Sequence, residues 1–224
     1  MSRVVSPAGR SRARRGEGEL LHVEILDAAE RLLIETGSEE AVSIRGIADA
    51  VGVTPPSIYL HFADKDELLF AVCERQFAEL DRVMEQAVVG IDDPIQELFQ
   101  RGKAYVRFGI EHPEEYRILF MRGGSHATGA TDEGRIRKAS AFDHLADAVA
   151  RGVKTGALPD GTDPNVFALE LWSVVHGLTS LVISKPMFDW PDVDALADHL
   201  LAATCTGLLA TPPFTVSRRR RSRR

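Results

Sequence analysis

Ser43-Ile44-Arg45-Gly46-Ile47-Ala48-Asp49-Ala50-Val51-Gly52-Val53-Thr54-Pro55-Pro56-Ser57-Ile58-Tyr59-Leu60-His61-Phe62-Ala63-Asp64-Lys65 is the stretch that decides how this chain folds. Ile44, Ile47, Ala48 and Val51 recur at three- and four-residue steps, which predicts a short helix from about residue 43 to 51 with one apolar face. Gly52 stands where a chain leaving a helix most often turns left-handed. Thr54-Pro55 reads as a new start, with a hydroxyl able to cap free amides and a proline where no amide partner is lost. The second helix is expected to carry Ile58, Tyr59 and Phe62. Two helices joined by about three residues that include a glycine make a helix-turn-helix. Ala48 is small enough for the closest crossing, and Ile58 is placed to plug the space beneath the turn.

A hairpin that only packed would have little reason to group Thr54, Ser57, Tyr59 and His61 at the front and outer side of its second helix. These groups can donate to phosphate oxygens or reach base edges.

From Leu20 to Phe70 the chain resembles the N-terminal DNA-binding domain of the tetracycline-repressor family. The resemblance rests on Val42-Ser43-Ile44-Arg45-Gly46-Ile47-Ala48, Gly52-Val53, Ser57-Ile58-Tyr59-Leu60-His61-Phe62 and Lys65-Asp66-Glu67-Leu68-Leu69. It implies phosphate contacts for Tyr59, His61 and Lys65, and base reading by the first turn of the recognition helix with help from Arg45, so that the candidate DNA-binding set is Ser43, Arg45, Thr54, Pro55, Pro56, Ser57, Tyr59, His61 and Lys65. Pro55-Pro56 departs from the pattern by stiffening the front of that helix.

Outward from this stretch, a first helix is expected over about 18–36, with Ile25, Ala28, Ala29, Leu32 and Leu33 on one stripe, His22 at the surface and Gly37 at its end. Asp64 and Glu67 form a capping box that opens a fourth helix. Lys65 in its first turn sits at the positive end of the helix dipole, where a bound anion relieves the cost. Leu68, Leu69, Val72, Phe77, Leu80 and Met84 carry that helix to about Val89, long enough to connect a DNA-binding head to the C-terminal part of the chain.

The charge is unevenly spread. Residues 1–15 hold Arg3, Arg10, Arg12, Arg14 and Arg15, residues 218–224 hold six more arginines, and neither segment has an acid. Between them, 16 basic residues face 33 acidic ones. A nucleic-acid binder with so acidic a body must localise its positive charge. The N-terminal arm can reach phosphates or a minor groove, or remain a solvated tail. No secretory signal and no apolar run near eighteen residues is evident, which argues against export and a membrane span. Cys73 and Cys205 lack paired spacing, so a reducing cytoplasm fits.

Beyond Pro94 the pattern stays helical. A fifth helix carries Ile95, Leu98, Phe99, Gly102, Tyr105, Val106 and Gly109 up to Pro113, and a sixth, over about 114–121, turns Tyr116, Leu119 and Phe120 inward. Residues 122–134 read as a loop, 133–154 as a seventh helix, 164 to before Pro186 as an eighth and 193–209 as a ninth. The fold class is all-α, about nine helices, with a basic arm at 1–17, a helix-turn-helix domain at 18–66, a ligand-binding and dimerisation domain at 67–211 and an Arg-rich tail at 212–224. The eighth and ninth helices are apolar over most of their surface, which predicts a homodimer through both. Phe108, His112-Pro113-Glu114-Glu115-Tyr116 and Trp172-Ser173-Val174-Val175-His176-Gly177 resemble a Trp-x-x-x-His-Gly subgroup of the same family, which implies a helical effector domain.

Trp172 and His176 share one helix face and, with Phe108, Tyr116, Phe120 and Phe142, could line an apolar ligand pocket or form a packed core in which His176 bonds a backbone carbonyl. By spacing alone His112, His126, His144 and His199 suggest no metal site. No enzyme signature is present, and no cofactor is called for. The expected function is a ligand-released, homodimeric repressor that binds palindromic double-stranded DNA. The alternatives are a ligand-independent activator or architectural regulator, and a helical enzyme or adaptor with a coincidental helix-turn-helix.

Overall fold

The computed structural model describes residues 17–120 and 141–210. Among them the chain is all α: α1 Glu17–Thr36, α2 Ile44–Val51, α3 Pro55–Ile58, α4 Lys65–Ala87, α5 Pro94–Glu111, α6 Pro113–Phe120, α7 Ala141–Lys154, α8 Pro164–Ser184 and α9 Val193–Ala210. The expected arm at 1–17, the loop at 122–134, the first turns of the seventh helix, His126 and the Arg-rich tail lie outside the described residues, apart from Glu17. The chain divides into two compact units, residues 1–76 with 117–132, and residues 77–116 with 133–224.

The first unit is built on hydrocarbon. Ile25, Ala28, Ala29 and Leu33 of α1 meet Val42, Ile47, Ala48, Ile58, Phe62, Leu68, Leu69 and Val72 in one cluster. Each large side chain so buried contributes about 1.5–3 kcal/mol relative to exposure. Ser43 precedes α2 and its Oγ accepts from the Gly46 amide at 3.1 Å. Gly52 ends α2 at φ +77°, and the Val53 amide donates back to Ala48 O at 2.9 Å, the hydrogen bond that closes a left-handed helix end. Ala48 and Ile58 are both fully buried, as the helix-turn-helix reading requires.

The recognition helix departs from expectation in two respects. It ends at Ile58, so Tyr59 stands at its C-cap and Phe62 lies beyond it, held by a Phe62 amide to Ile58 O bond of 3.1 Å. Thr54 makes no capping bond. The reason is a shortage of donors: Pro55 and Pro56 have no N–H, and the Ser57 amide already donates to Thr54 O at 2.8 Å. Half of the expected capping box of α4 is present: the Glu67 amide donates to Asp64 Oδ1 at 2.8 Å, but the Glu67 carboxylate reaches one residue past the cap and accepts from the Ala63 amide at 2.5 Å.

In the second unit α5 packs against α7, α8 and α9, and its glycines set how closely. A Cβ on Gly109 would lie 2.2 Å from Thr179 Cγ2, and one on Gly102 would lie 2.9 Å from the Leu201 methyls. Asp93 and Asp163 cap α5 and α8, each followed by a first-turn proline. In α6 the buried residues are Tyr116 and Ile118, with Leu119 and Phe120 only half-buried. Ile118 belongs to the apolar cluster of the first unit and Tyr116 to the core of the second, a division that the apolar pattern alone did not show. α8 is long and apolar enough to cross a membrane by length and composition, although no uninterrupted run suggested it. It bears Glu170 and His176 and packs against α5, α7 and α9, as the core helix of a bundle does.

Candidate nucleic-acid interface and the core of the helical body

The α2–turn–α3 segment turns its apolar side inward and its polar side out. Ile58 is fully buried, whereas Tyr59 is 54 % and Leu60 84 % exposed. Thr54, Pro56, Ser43 and Arg45 are exposed, and Pro55, Ser57 and His61 half-buried. The Thr54 and Ser57 hydroxyls lie 3.1 Å apart, each able to turn its proton outward. With two prolines and the Ser57 amide committed to Thr54 O, the first three positions of α3 offer no free backbone N–H to an anion. Recognition at this tip must therefore come from side chains.

Lys65 is held by its own chain: Nζ donates to Glu39 O at 2.5 Å, tying the start of α4 to the α1–α2 connection. His61 lies beside His22 at a ring distance of 5.9 Å, and His22 stacks on Phe62 at 4.6 Å, so His22 is half-buried and packed rather than a simple surface residue. Burial, with the neighbouring His22 second, holds the His61 imidazole below its ordinary pKa. Residues 17–76 contain only Arg31, Arg45, Lys65 and Arg75 as basic side chains against thirteen acids. Arg75 is paired with Asp27 and Glu30.

The second unit has a hydrogen-bonded core. The Trp172 indole donates to Tyr105 Oη at 3.2 Å, and Tyr105 Oη lies 3.1 Å from Tyr116 Oη. Tyr116 Oη is 2.7 Å from His176 Nδ1, and His176 Nε2 is 3.3 Å from Ser180 Oγ. Burial raises both tyrosine pKa values and lowers that of His176, so the network is neutral at pH 7. Assigning the tautomer from the network, Nδ1 accepts from Tyr116 and Nε2–H faces Ser180. Tyr105 accepts from Trp172 and its hydroxyl is within reach of both Tyr116 Oη and His176 Nδ1, the latter at 3.0 Å.

Of the six ligand-domain candidates, the fold brings Tyr116, Trp172 and His176 together, with Phe142 edge-on to Trp172 at 6.2 Å. Phe108 is buried beside His112 at 5.3 Å, and half-buried Phe120 belongs to the first unit. Tyr105 and Ser180 complete the network and were not singled out as site residues. Tyr105 shows only as one apolar position of α5, and nothing in the spacing aligns α5 with α8.

A charged cluster joins α4, α5 and α7. Buried Arg101 donates to Glu97 Oε1 at 2.8–3.0 Å and to Glu85 Oε1 at 2.7 Å, and Arg151 binds both oxygens of Glu97 at 2.6 and 2.7 Å. His144 Nδ1 lies 3.1 Å from Asp81 Oδ1 and 2.9 Å from Glu85 Oε1. Only the Glu97–Arg101 pair and the Asp81–Glu85 pair show in local spacing, each four residues apart; the rest of the group comes together from three helices.

Residues 25–72 match the family described as bacterial regulatory proteins, tetR family, and residues 98–204 match the tetracyclin repressor-like C-terminal domain. The chain is 35 % identical over 98 residues to the HTH-type transcriptional activator FasR of Mycolicibacterium smegmatis, covering 43 % of this chain and 44 % of FasR. It is 29 % identical over 129 residues to the HTH-type transcriptional regulator EthR of the same organism, covering 58 % and 52 %. The aligned stretch thus spans about half the length of these curated relatives. The fold is similar to that of the transcriptional regulator FadR of Bacillus subtilis, solved in complex with stearoyl-CoA, with a TM-score of 0.69, 16 % identity and coverage of 83 % of this chain and 98 % of FadR.

Proposed function

Because this chain belongs to the tetracycline-repressor (TetR) family of DNA-binding transcriptional regulators, we propose that it acts in the cytoplasm as a homodimeric repressor. A small, largely apolar ligand bound among α5–α8 releases it from palindromic operator DNA. The observation that carries the reading is the outward presentation of Thr54, Ser57 and Tyr59 on a helix anchored by fully buried Ile58. Ser43, Arg45, Pro55, Pro56 and His61 flank that surface. Thr54 and Ser57 reach base edges, and Tyr59 and His61 grip phosphates. Lys65 fixes the α1–α2 connection and presents its charge beside it. Because residues 17–76 are so acidic, most of the electrostatic affinity is assigned to the arginines of residues 1–15. Deleting residues 2–15 should flatten the salt dependence of DNA binding, with each lost phosphate contact reducing the log–log slope by about 0.9.

The dimer reading is supported by the outer face of α8. Leu169 and Leu181 are about half exposed there, and a Cβ on Gly177 would meet nothing within 4 Å. A glycine inside a helix costs about 1 kcal/mol relative to alanine, and this chain's own packing does not demand one. Close approach of a second α8 gives the glycine a purpose. Stearoyl-CoA is the ligand of FadR, and long-chain acyl-CoA is the first ligand class to test here. Release requires the ligand to prefer the non-binding arrangement of the two heads.

The name of FasR favours a second reading, activation of transcription. Operator selection from genomic fragments, followed by anisotropy titrations with and without acyl-CoA, separates the outcomes. Ligand-weakened binding supports the repressor. Enrichment of a palindrome with ligand-independent affinity supports the alternative. No enriched sequence at low salt contradicts both.

A further inference from the structure

Asp81 and Glu85 lie four residues apart on α4 and project from one side of it, and α7 brings His144 to them. One donor atom from each of the three falls within 4.8 Å of the others. Two edges, 3.1 Å from Nδ1 to Asp81 Oδ1 and 2.9 Å from Nδ1 to Glu85 Oε1, suit a shared cation as well as they suit an N–H···O hydrogen bond. Metal bonds of about 2.0–2.2 Å to nitrogen and oxygen set neighbouring donors about 3.0 Å apart at octahedral angles and about 3.4 Å apart at tetrahedral ones. The group is partly withdrawn from water, with the Asp81 side chain 13 % and that of His144 40 % exposed.

The surrounding charges suit a divalent cation. Two carboxylates neutralise it. Arg101, which also binds Glu85 Oε1, is matched by buried Glu97. The guanidinium thereby fixes the orientation of Glu85, as outer-layer groups do around metal ligands. Arg151 stands at the rim, half exposed, where water screens it.

We propose that Asp81, Glu85 and His144 form a binding site for one divalent transition-metal ion of the Zn²⁺, Co²⁺ or Mn²⁺ class. An imidazole donor disfavours Mg²⁺ and Ca²⁺, and the lack of a sulfur donor in the trio disfavours Cu⁺. Three protein donors leave at least one position for water. The ion fastens the second half of α4 to α7, so its binding stabilises the folded second unit by mass action. The site does not depend on what ligand, if any, the Trp172–His176 network serves.

The test uses the full-length, untagged chain after chelator treatment and dialysis, titrated with Co²⁺ and then Zn²⁺. One equivalent of Co²⁺ should produce visible d–d bands that one equivalent of Zn²⁺ abolishes, and should broaden the imidazole resonances of His144 before those of other histidines. Asp81→Asn and His144→Gln should each weaken Zn²⁺ by more than about 100-fold, beyond the 10–100-fold typical of outer-layer losses, whereas His199→Gln should leave it unchanged. The wild-type bands and NMR decide the matter even where a variant fails to fold. Absence of both, first broadening at another histidine, or equal affinity in the folded variants would overturn the proposal and leave His144 as a hydrogen-bonding partner of two carboxylates.

Discussion

The two units solve the problem of polar groups in opposite ways. The first keeps its central cluster to hydrocarbon, with Gln76 the one polar side chain buried among its described residues, and places Thr54 and Tyr59 at the surface. The second buries Glu97, Arg101 and Thr179 and runs a hydrogen-bonded chain from Trp172 to His176. An apolar core is strong and has one favoured arrangement, which suits a surface that must hold a fixed shape against DNA. A buried polar network is satisfied only in particular geometries and is costly when half-made. It is therefore the part of the molecule on which a bound group or a proton can act.

The largest expected effect breaks the polar side of this comparison. Arg101→Met leaves buried Glu97 without one of its two arginines and Glu85 with only His144 among the described residues, and losing one partner of a buried pair costs roughly 3–5 kcal/mol. Urea unfolding followed by tryptophan fluorescence should register this, since both Trp172 and Trp190 lie in the second unit. A loss below about 1 kcal/mol, the range of exposed pairs, would mean that water reaches the cluster. Next comes the apolar side. Ile58→Ala should cost about 2–5 kcal/mol by leaving a cavity and abolish DNA binding with it. Tyr59→Ala, at an exposed position, should leave stability within about 0.5 kcal/mol while weakening DNA binding uniformly across sequences.

Gly109→Ala sharpens the contrast at an intermediate scale. Its methyl would collide with Thr179 and Tyr116, and overpacking of this kind costs about 1–3 kcal/mol. Changed near-ultraviolet dichroism in the tyrosine region would report the displaced network.

The smallest effect is a pH dependence. Burial lowers the His176 pKa in the folded chain, so the unfolded chain binds the proton more readily. The stability contribution of the neutral imidazole is complete above the unfolded value of about 6.5 and declines as pH falls from there to the lowered folded value. Subtracting the unfolding profile of His176→Asn from that of the parent chain should isolate this decline. A difference that shrinks as pH rises through this window would contradict the assignment.

Much of this architecture was legible in the sequence, and the reason is chemical. Gly52, Pro55, Asp64, Pro94, Pro113 and Asp163-Pro164 each impose a local backbone state, so the helix ends they mark lie within a residue or two of expectation. The helical periodicity likewise picked out Ile47, Ala48, Ile58, Leu68 and Leu69 as core. What escaped depended on partners distant in sequence. Lys65 donates to a carbonyl 26 residues away, His144 meets carboxylates on another helix, and Tyr105 joins residues 11, 67 and 71 positions on. Thr54 failed as a cap for a local reason that could have been read: two prolines had already removed the amides.

The central claim, that the hydroxyl front of α3 meets DNA, is tested most directly by binding of Thr54→Val/Ser57→Ala to an operator selected with the parent chain. The account predicts lost discrimination between that operator and scrambled DNA, by about 1–3 kcal/mol for each base contact removed, with unchanged binding to the scrambled sequence and unchanged thermal stability. Full discrimination retained by this folded variant would place sequence reading elsewhere and contradict the account.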